Sequence, residues 1–357
     1  MPDVQEVFRM ATQKVRPDPG ALERQFRDQR RRTVRRKAGG YALAAAVVIA
    51  GIVLAITTLS KHGGKTPAHH QTTPTPAPTN KGAVIIDLNG KVQATVPGLP
   101  VDAGSFGLSP DGKTIAFVQS SGRLGTIGID GRGLQLFDLP GGTDRPVWSP
   151  DGTRIAFAMT VLDHGAYNSD IYVINADGSS LRRLTTSPAG DQWPSWSPDG
   201  SRIAYVSSGA QPFDSSNRSE TSRLWTVSAD GGTPTLLSRV KGYSDPVYSP
   251  DGAQIAFTDH GTLMVMNANG TNPHLLVDQQ AIYGVKWSPD GTKIAFMQYD
   301  PTWRYYSLPV LAVNILDVKT GRVSTLKDTE MVQDRNTPQW LPSSDELLLN
   351  RVERPTG

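Results

Sequence analysis

The sequence predicts an all-β fold, a six-bladed β-propeller with N-to-C strand closure, preceded by a single transmembrane helix and a short cytoplasmic helical tail. Three observations carry this. A ten-residue segment, "WSPDGTRIAF" at Trp148–Phe157, recurs along the chain with small changes. A second unit, strand–turn–strand in character, alternates with it. Before both lies an apolar run of 22 residues, Ala38–Leu59, without a charge.

Residues 1–37 are expected to form a basic cytoplasmic tail. They hold eleven basic and five acidic residues, while the rest of the chain holds 25 basic and 28 acidic. The overall excess of Lys and Arg (36 against 33) therefore belongs to the tail, and the bulk has no electrostatic footprint for nucleic acid. Val4, Val7, Phe8, Ala11 and Val15 fall on one helical face, and Pro17 and Pro19 end that helix. Thirty-seven residues are too few for a core of their own, so this face needs the membrane surface or a cytoplasmic partner.

Residues 38–59 would span ~33 Å as a helix, enough to cross a hydrocarbon core. A cleaved signal peptide would have a shorter apolar region and a shorter leader. Arg30, Arg31, Arg32, Arg35, Arg36 and Lys37 crowd its N-terminal side. The positive-inside rule then puts the N-terminus in the cytoplasm and the C-terminal bulk outside, as a single-pass protein of the cell membrane. Residues 60–82, "SKHGGKTPAHHQTTPTPAPTNKG", are expected to form an extended Pro/Thr-rich stalk. His69 and His70 lie there without the further ligands that a closed metal site requires.

Residues 83–357 are expected to be the propeller. The first unit occurs at Leu108, Trp148, Trp196, Tyr248 and Trp287, and in degenerate form, "WLPSSDELLL", at Trp340. The spacing, about 40 to about 53 residues, is that of propeller blades. Ser-Pro-Asp-Gly suits a tight turn: Pro presets φ, Asp bonds back to the backbone and Gly takes the left-handed position. Asp111, Asp151, Asp199, Asp251 and Asp290 are thus read as turn formers and not as a catalytic carboxylate set. The Ile-Ala-Phe that follows reads as a strand buried on both faces. The second unit appears at Thr126, Ile171, Leu224, Leu263 and Leu311, each with a Gly-containing turn. A sixth second unit stands at the other end of the repeats, Ala83–Val96, "AVIIDLNGKVQATV". The last blade is therefore expected to take its outer hairpin from the N-terminal strands, leaving no open edge.

These repeats resemble the PD40, or WD40-like, propeller repeats of TolB-type proteins, which also occur in the propellers of prolyl-oligopeptidase relatives. The resemblance covers residues 83–357 and implies a bacterial six-bladed propeller that binds proteins or peptides. The chain departs from TolB in its membrane run and basic tail, and in showing no N-terminal α/β domain. The anchored layout is more loosely similar to actinobacterial membrane propellers.

Antiparallel strands sort the connections onto two faces. The turns inside both hairpins fall on one; the links between hairpins and between blades fall on the other, and these carry the length variation. Binding groups concentrate on such connections. The candidate ligand-binding residues are Tyr299, Trp303, Arg304, Tyr305 and Tyr306 of "YDPTWRYYSLP", with Tyr167, Trp193, Arg218, Tyr243 and Tyr283 as neighbours. Trp, Tyr and Arg are the usual interface anchors.

No catalytic residue, metal ligand or cofactor is assigned. The sequence holds no G-x-S-x-G, H-E-x-x-H or phosphate loop, and His164 falls in a different blade from His260 and His274. The absence of cysteine excludes disulfides, Cys-ligated zinc, a thiol nucleophile and a lipid-modified Cys. The leading expectation is a non-enzymatic, membrane-tethered propeller that binds a protein, peptide or cell-envelope ligand outside the cell. The alternatives are a transmembrane regulator, anti-sigma-like or sensing through the propeller, and a propeller lyase or hydrolase.

Overall fold

The computed structural model describes residues 79–100, 102–163, 166–208, 222–240, 245–279, 281–305, 308–326, 331–332 and 337–353. The expected tail, membrane run and most of the stalk lie outside them. Among the described residues no helix is long and apolar enough to cross a membrane.

These residues form six antiparallel sheets. The first blade is β3 (Ala103–Leu108), β4 (Thr114–Gln119), β5 (Leu124–Gly128) and β6 (Gln135–Leu136). The second is β7 (Gly142–Trp148), β8 (Arg154–Asp163), β9 (Ala166–Asn175) and β10 (Arg182–Arg183). The third is β11 (Gly190–Trp196), β12 (Arg202–Ser208), β13 (Ser222–Ser228) and β14 (Thr235–Val240). The fourth is β15 (Val247–Tyr248), β16 (Gln254–Asp259), β17 (Thr262–Asn267) and β18 (His274–Val277). The fifth is β19 (Ile282–Trp287), β20 (Lys293–Tyr305), β21 (Leu308–Asp317) and β22 (Val323–Thr325), with β23 (Met331–Val332) beside β21.

The sixth blade joins the two ends of the repeat region, as the count of hairpins requires. Its order is β2 (Val92–Thr95), β1 (Thr79–Asp87), β25 (Glu346–Glu353), β24 (Gln339–Trp340). Val84, Ile85 and Ile86 stand opposite Leu349, Leu348 and Leu347. The innermost strands β3, β7, β11, β15, β19 and β24 neighbour one another in that order, and β24 returns to β3. The ring is closed.

The repeated segment builds it in three ways. Ile115, Ala116 and Phe117, and their counterparts Ile155–Phe157, are fully buried, so each second strand is apolar on both faces because both are covered by neighbouring blades. The aromatic before Ser-Pro reaches back to the preceding blade. Trp148, Trp196 and Trp340 donate their indole N–H to the carbonyls of Gly107, Val147 and Lys286, at 3.1, 3.1 and 3.0 Å. The turn glycines also look to the previous blade's turn proline: Gly152 to Pro110, Gly200 to Pro150, Gly252 to Pro198, Gly291 to Pro250, and Gly112 to Pro342 across the closure.

The turn aspartates behave as expected. Ser149 Oγ donates to Asp151 at 2.5 Å, Asp151 accepts the N–H of Thr153 at 3.0 Å, and Ser149 Oγ accepts that of Arg154. The same bonds recur at Asp111, Asp199, Asp251 and Asp290. They hold these carboxyls below the ordinary range, to about 2 at Asp151, Asp199 and Asp290, the serine hydroxyl contributing most. In the degenerate sixth turn Ser344 occupies the glycine slot at φ 61.

Candidate functional site

Two features distinguish one face and the axis of the ring. The first is a pair of arms. After Ala158 and after Met297 the chain does not turn into an irregular loop: the strands continue to Asp163 and to Tyr305, and resume at Ala166 and at Leu308. β8 and β9 stay paired to the tip, Val161 opposite Asn168, Leu162 opposite Tyr167, Asp163 opposite Ala166. β20 and β21 pair as far as Tyr299 opposite Leu311, shift register, and pair again with Arg304 opposite Pro309 and Tyr305 opposite Leu308. These arms belong to the second and fifth blades, which stand opposite each other in a ring of six. In the other fully described hairpins the corresponding links are short, as at Asp259–Thr262. β1 enters the ring beside β25 at Thr79, on this same face.

The second feature is the central channel. It holds a cavity of about 40 Å³ lined by the inner strands of all six blades, with Arg145, Trp193, Asp245, Lys286, Thr337 and Gln339 among the lining. A single water takes roughly 10–15 Å³ on this measure, so the space suits a few waters or one compact polar group.

The side chains are aimed here by a break in the ladder. In four blades a proline stands two residues before the recurrent aromatic: Pro146, Pro194, Pro246 and Pro338. It has no N–H to give to the neighbouring strand. The register slips between Asp144 and Val147 and between Gln192 and Ser195, and β15 and β24 begin only after their prolines. Arg145 and Trp193, each just before its proline, take left-handed φ values of 52 and 55. Gly284 holds the same place in the fifth blade at φ 63, beside its own register slip. Bulges of this kind re-aim side chains, and left-handed backbone at bulky residues is a marker of constraint.

The result is a charged cluster across the channel. The Arg145 guanidinium lies 5.5 Å from the centre of the Trp193 ring and 3.8 Å from Asp245 Oδ1. Asp245 Oδ2 accepts the N–H of Gly284 at 2.9 Å. Ser105 Oγ accepts the N–H of Arg145 at 3.1 Å and donates to Asp144 Oδ1 at 3.0 Å. Lys286 completes the set. Burial in the channel pushes its pKa down, Asp245 opposes this, and Arg145 adds to it.

The sequence-derived candidates divide accordingly. Trp193 lines the channel instead of standing on the face. Tyr167 is 71% exposed and Leu162, opposite it, 63%. Tyr283 is half-buried on β19. Tyr299, Trp303, Arg304 and Tyr305 lie along β20 with their side chains outside the description, and Arg218, Tyr243 and Tyr306 lie outside the described residues altogether. Sequence reasoning missed Arg145, Asp245 and Lys286. The signal for the first two was the recurrent x-Pro-x-aromatic-Ser-Pro, in which x precedes a break in the ladder. Lys286 carries no comparable mark.

A family model described as PD40, TolB beta propeller domain, matches residues 83–262, half of the chain. The chain belongs to this family. An uncharacterized protein of Agrobacterium fabrum is 31% identical to this PD40 propeller over 159 residues, 42% of this chain and 53% of that one. The chain thus spans about half the length of the curated relative it matches. A structure from Agrobacterium tumefaciens described as TolB is similar with a TM-score of 0.62 at 23% identity, over 78% of this chain and 99% of its own. TolB of Acinetobacter baumannii gives 0.53 at 17%, over 69% and 66%. A chain of a nidogen/laminin complex gives 0.50 at 14%, over 72% and 86%. At these identities the structures share the fold.

Proposed function

We propose that this PD40 propeller is a non-enzymatic receptor, anchored in the cell membrane by residues 38–59 and holding its ring outside the cell, where it binds a protein or peptide of the envelope. The observation that carries the reading is the second-blade arm. Leu162 and Tyr167 stand opposite each other at its tip and are largely exposed. A folded domain gains nothing from placing a large aliphatic and an aromatic side chain there, whereas an interface does. The family and the protein complex represented among the similar folds are consistent with such a role.

A photo-crosslinking residue placed at Tyr167 in the full chain in cells tests this. It should trap a discrete envelope protein, and the same residue at Asp130, an exposed turn on the opposite face, should not. Equal products from both faces, or none from Tyr167, would sink the reading. The anchor is checked separately: the full chain should sediment with membranes and resist carbonate extraction, and a chain starting at residue 60 should not.

A further inference from the structure

The channel cluster does not balance its own charge. Of the described residues that line the cavity, Arg145 and Lys286 are cationic and Asp245 is the one carboxylate. Asp245 is already engaged on both oxygens, by the Arg145 guanidinium and by the Gly284 N–H. Asp144 is turned to Ser105 and the Arg145 N–H, and it is not among the groups acting on the Lys286 charge. Among the described residues the Lys286 ammonium has no hydrogen bond or ion pair, and Asp245 acts on it only at longer range. An ammonium drawn out of bulk water whose nearest described carboxylate is already shared between two other donors is only partly compensated, and a further anion would complete the compensation.

Size and depth narrow what that anion is. The space accommodates one compact group. Arg145 lies three residues from Gly142, the arm-face end of β7, which is roughly 10 Å into the channel at about 3.3 Å per residue. An Asp or Glu side chain on a partner lying across the face does not reach that far. The end of an extended chain does.

We propose that Lys286 and Arg145 form a receptor for the terminal carboxylate of a peptide or protein that enters the channel. This rests on the protein-binding reading above and specifies its chemistry. Lys286 supplies a charge that Asp245 offsets only in part. Arg145, held by the Trp193 ring and the Asp245 carboxylate, offers a pre-oriented planar donor at low entropic cost. Thr337 and Gln339, beside and on the inner strand of the sixth blade, add further polar groups to the lining.

The test uses the full chain in detergent micelles and a probe pair, radiolabelled N-acetyl-triglycine and its C-terminal amide, in equilibrium dialysis. The acid should be retained at least tenfold more strongly than the amide. Lys286→Gln should lower retention of the acid at least tenfold and leave the amide unchanged, while Lys286→Arg should keep most of it. Equal retention of acid and amide by the wild-type protein, including no retention of either, overturns the proposal, and this arm depends on no variant folding. Undiminished retention by Lys286→Gln overturns it as well. If the probes behave as expected but crosslinking at Tyr167 traps no partner, the carboxylate site stands and the receptor reading falls. If crosslinking succeeds and the probes do not discriminate, the reverse holds.

Discussion

Asp191 lies on β11 at the junction of the second and third blades, fully buried. Neither of its carboxylate oxygens has a donor in good hydrogen-bonding geometry. Nearby, Asp170 is equally buried and already holds Arg183 at 2.6 Å, with Asn168 and Thr185 as further donors. Burial therefore pushes the Asp191 pKa up to about 6; the Ser207 and Thr185 hydroxyls stand near enough to offset part of this, Asp170 adds to it, and Arg183 counters it. The folded chain holds this proton more tightly than the unfolded chain, whose value is 3.8. The associated stability is fully present below pH ~4 and is lost as pH rises through about 6. A rise of two units corresponds to about 3 kcal/mol. The turn aspartates act in the opposite sense and in another window: lowered to about 2 at Asp151, Asp199 and Asp290, they favour folding at neutral pH and lose that effect only on acidification. Asp191→Asn removes the ionisation with little change in shape. We expect it to match the wild type near pH 4 and to exceed it by about 1–3 kcal/mol at pH 7, read from urea midpoints. A difference that does not vary with pH would show that Asp191 is not the titrating group.

At the scale of the element, the repeat is a turn that fixes two strands and a contact that fixes the next blade. Gly152 isolates the first role. Its φ is 69, and an added Cβ would meet only Pro110 Cδ at 3.9 Å, an ordinary contact. Gly152→Ala should therefore cost what the left-handed backbone costs, about 1–2 kcal/mol. Gly112→Ala should cost more, because there the new Cβ would lie 2.9 Å from Pro342 Cδ in the blade across the closure. Thermal melts of the two variants check the order, and a Gly112 variant as stable as the Gly152 one would refute the blade-to-blade role of the turn. The fold was legible because the determinants are local: Pro, Asp and Gly at fixed offsets dictate a turn, and three apolar residues in a row dictate a strand covered on both sides. The arms were less legible. Thr160, Val161 and Leu162 pair with Ser169, Asn168 and Tyr167 through backbone hydrogen bonds, which leave no periodic apolar mark: Val161 alone packs against an apolar cluster, and the buried Ser169 is held by its hydroxyl bond to the Asp191 carbonyl of the third blade. Length variation alone suggested loops where the chain in fact continues as strand. The channel cluster was legible only in part, since Arg145, Asp245 and Lys286 come together from the second, fourth and fifth blades and no sequence window contains them.

The whole molecule depends on one non-local pairing. Every other blade is built from consecutive residues, but β1 and β2 belong with β24 and β25, some 250 residues away. Val84 and Ile86 pack with Trp340, Leu347 and Leu349, while Ala83 and Val96 pack with Phe106, Ile115 and Phe117 of the first blade. The N-terminal hairpin thus seals both seams of the sixth blade. Burial of Val84, Ile86 and Val96 contributes about 5–9 kcal/mol at roughly 1.5–3 kcal/mol per side chain. That is comparable to the entire stability of a typical domain, roughly 5–15 kcal/mol. Losing the hairpin also leaves β25 with an unpaired edge, which invites aggregation. We therefore expect the full chain with residues 79–96 replaced by a Gly/Ser segment of equal length to lose its cooperative unfolding transition and to aggregate at room temperature. A synthetic peptide of residues 79–96 added in trans should restore a transition, because the edge it pairs with is specified by register: Val84 against Leu349, Ile85 against Leu348, Ile86 against Leu347. A peptide with Val84, Ile86 and Val96 changed to Ser should not restore it. If the replaced chain melts cooperatively at the wild-type temperature, the ring does not depend on its closure, and the inner-strand contacts from blade to blade must suffice to hold it.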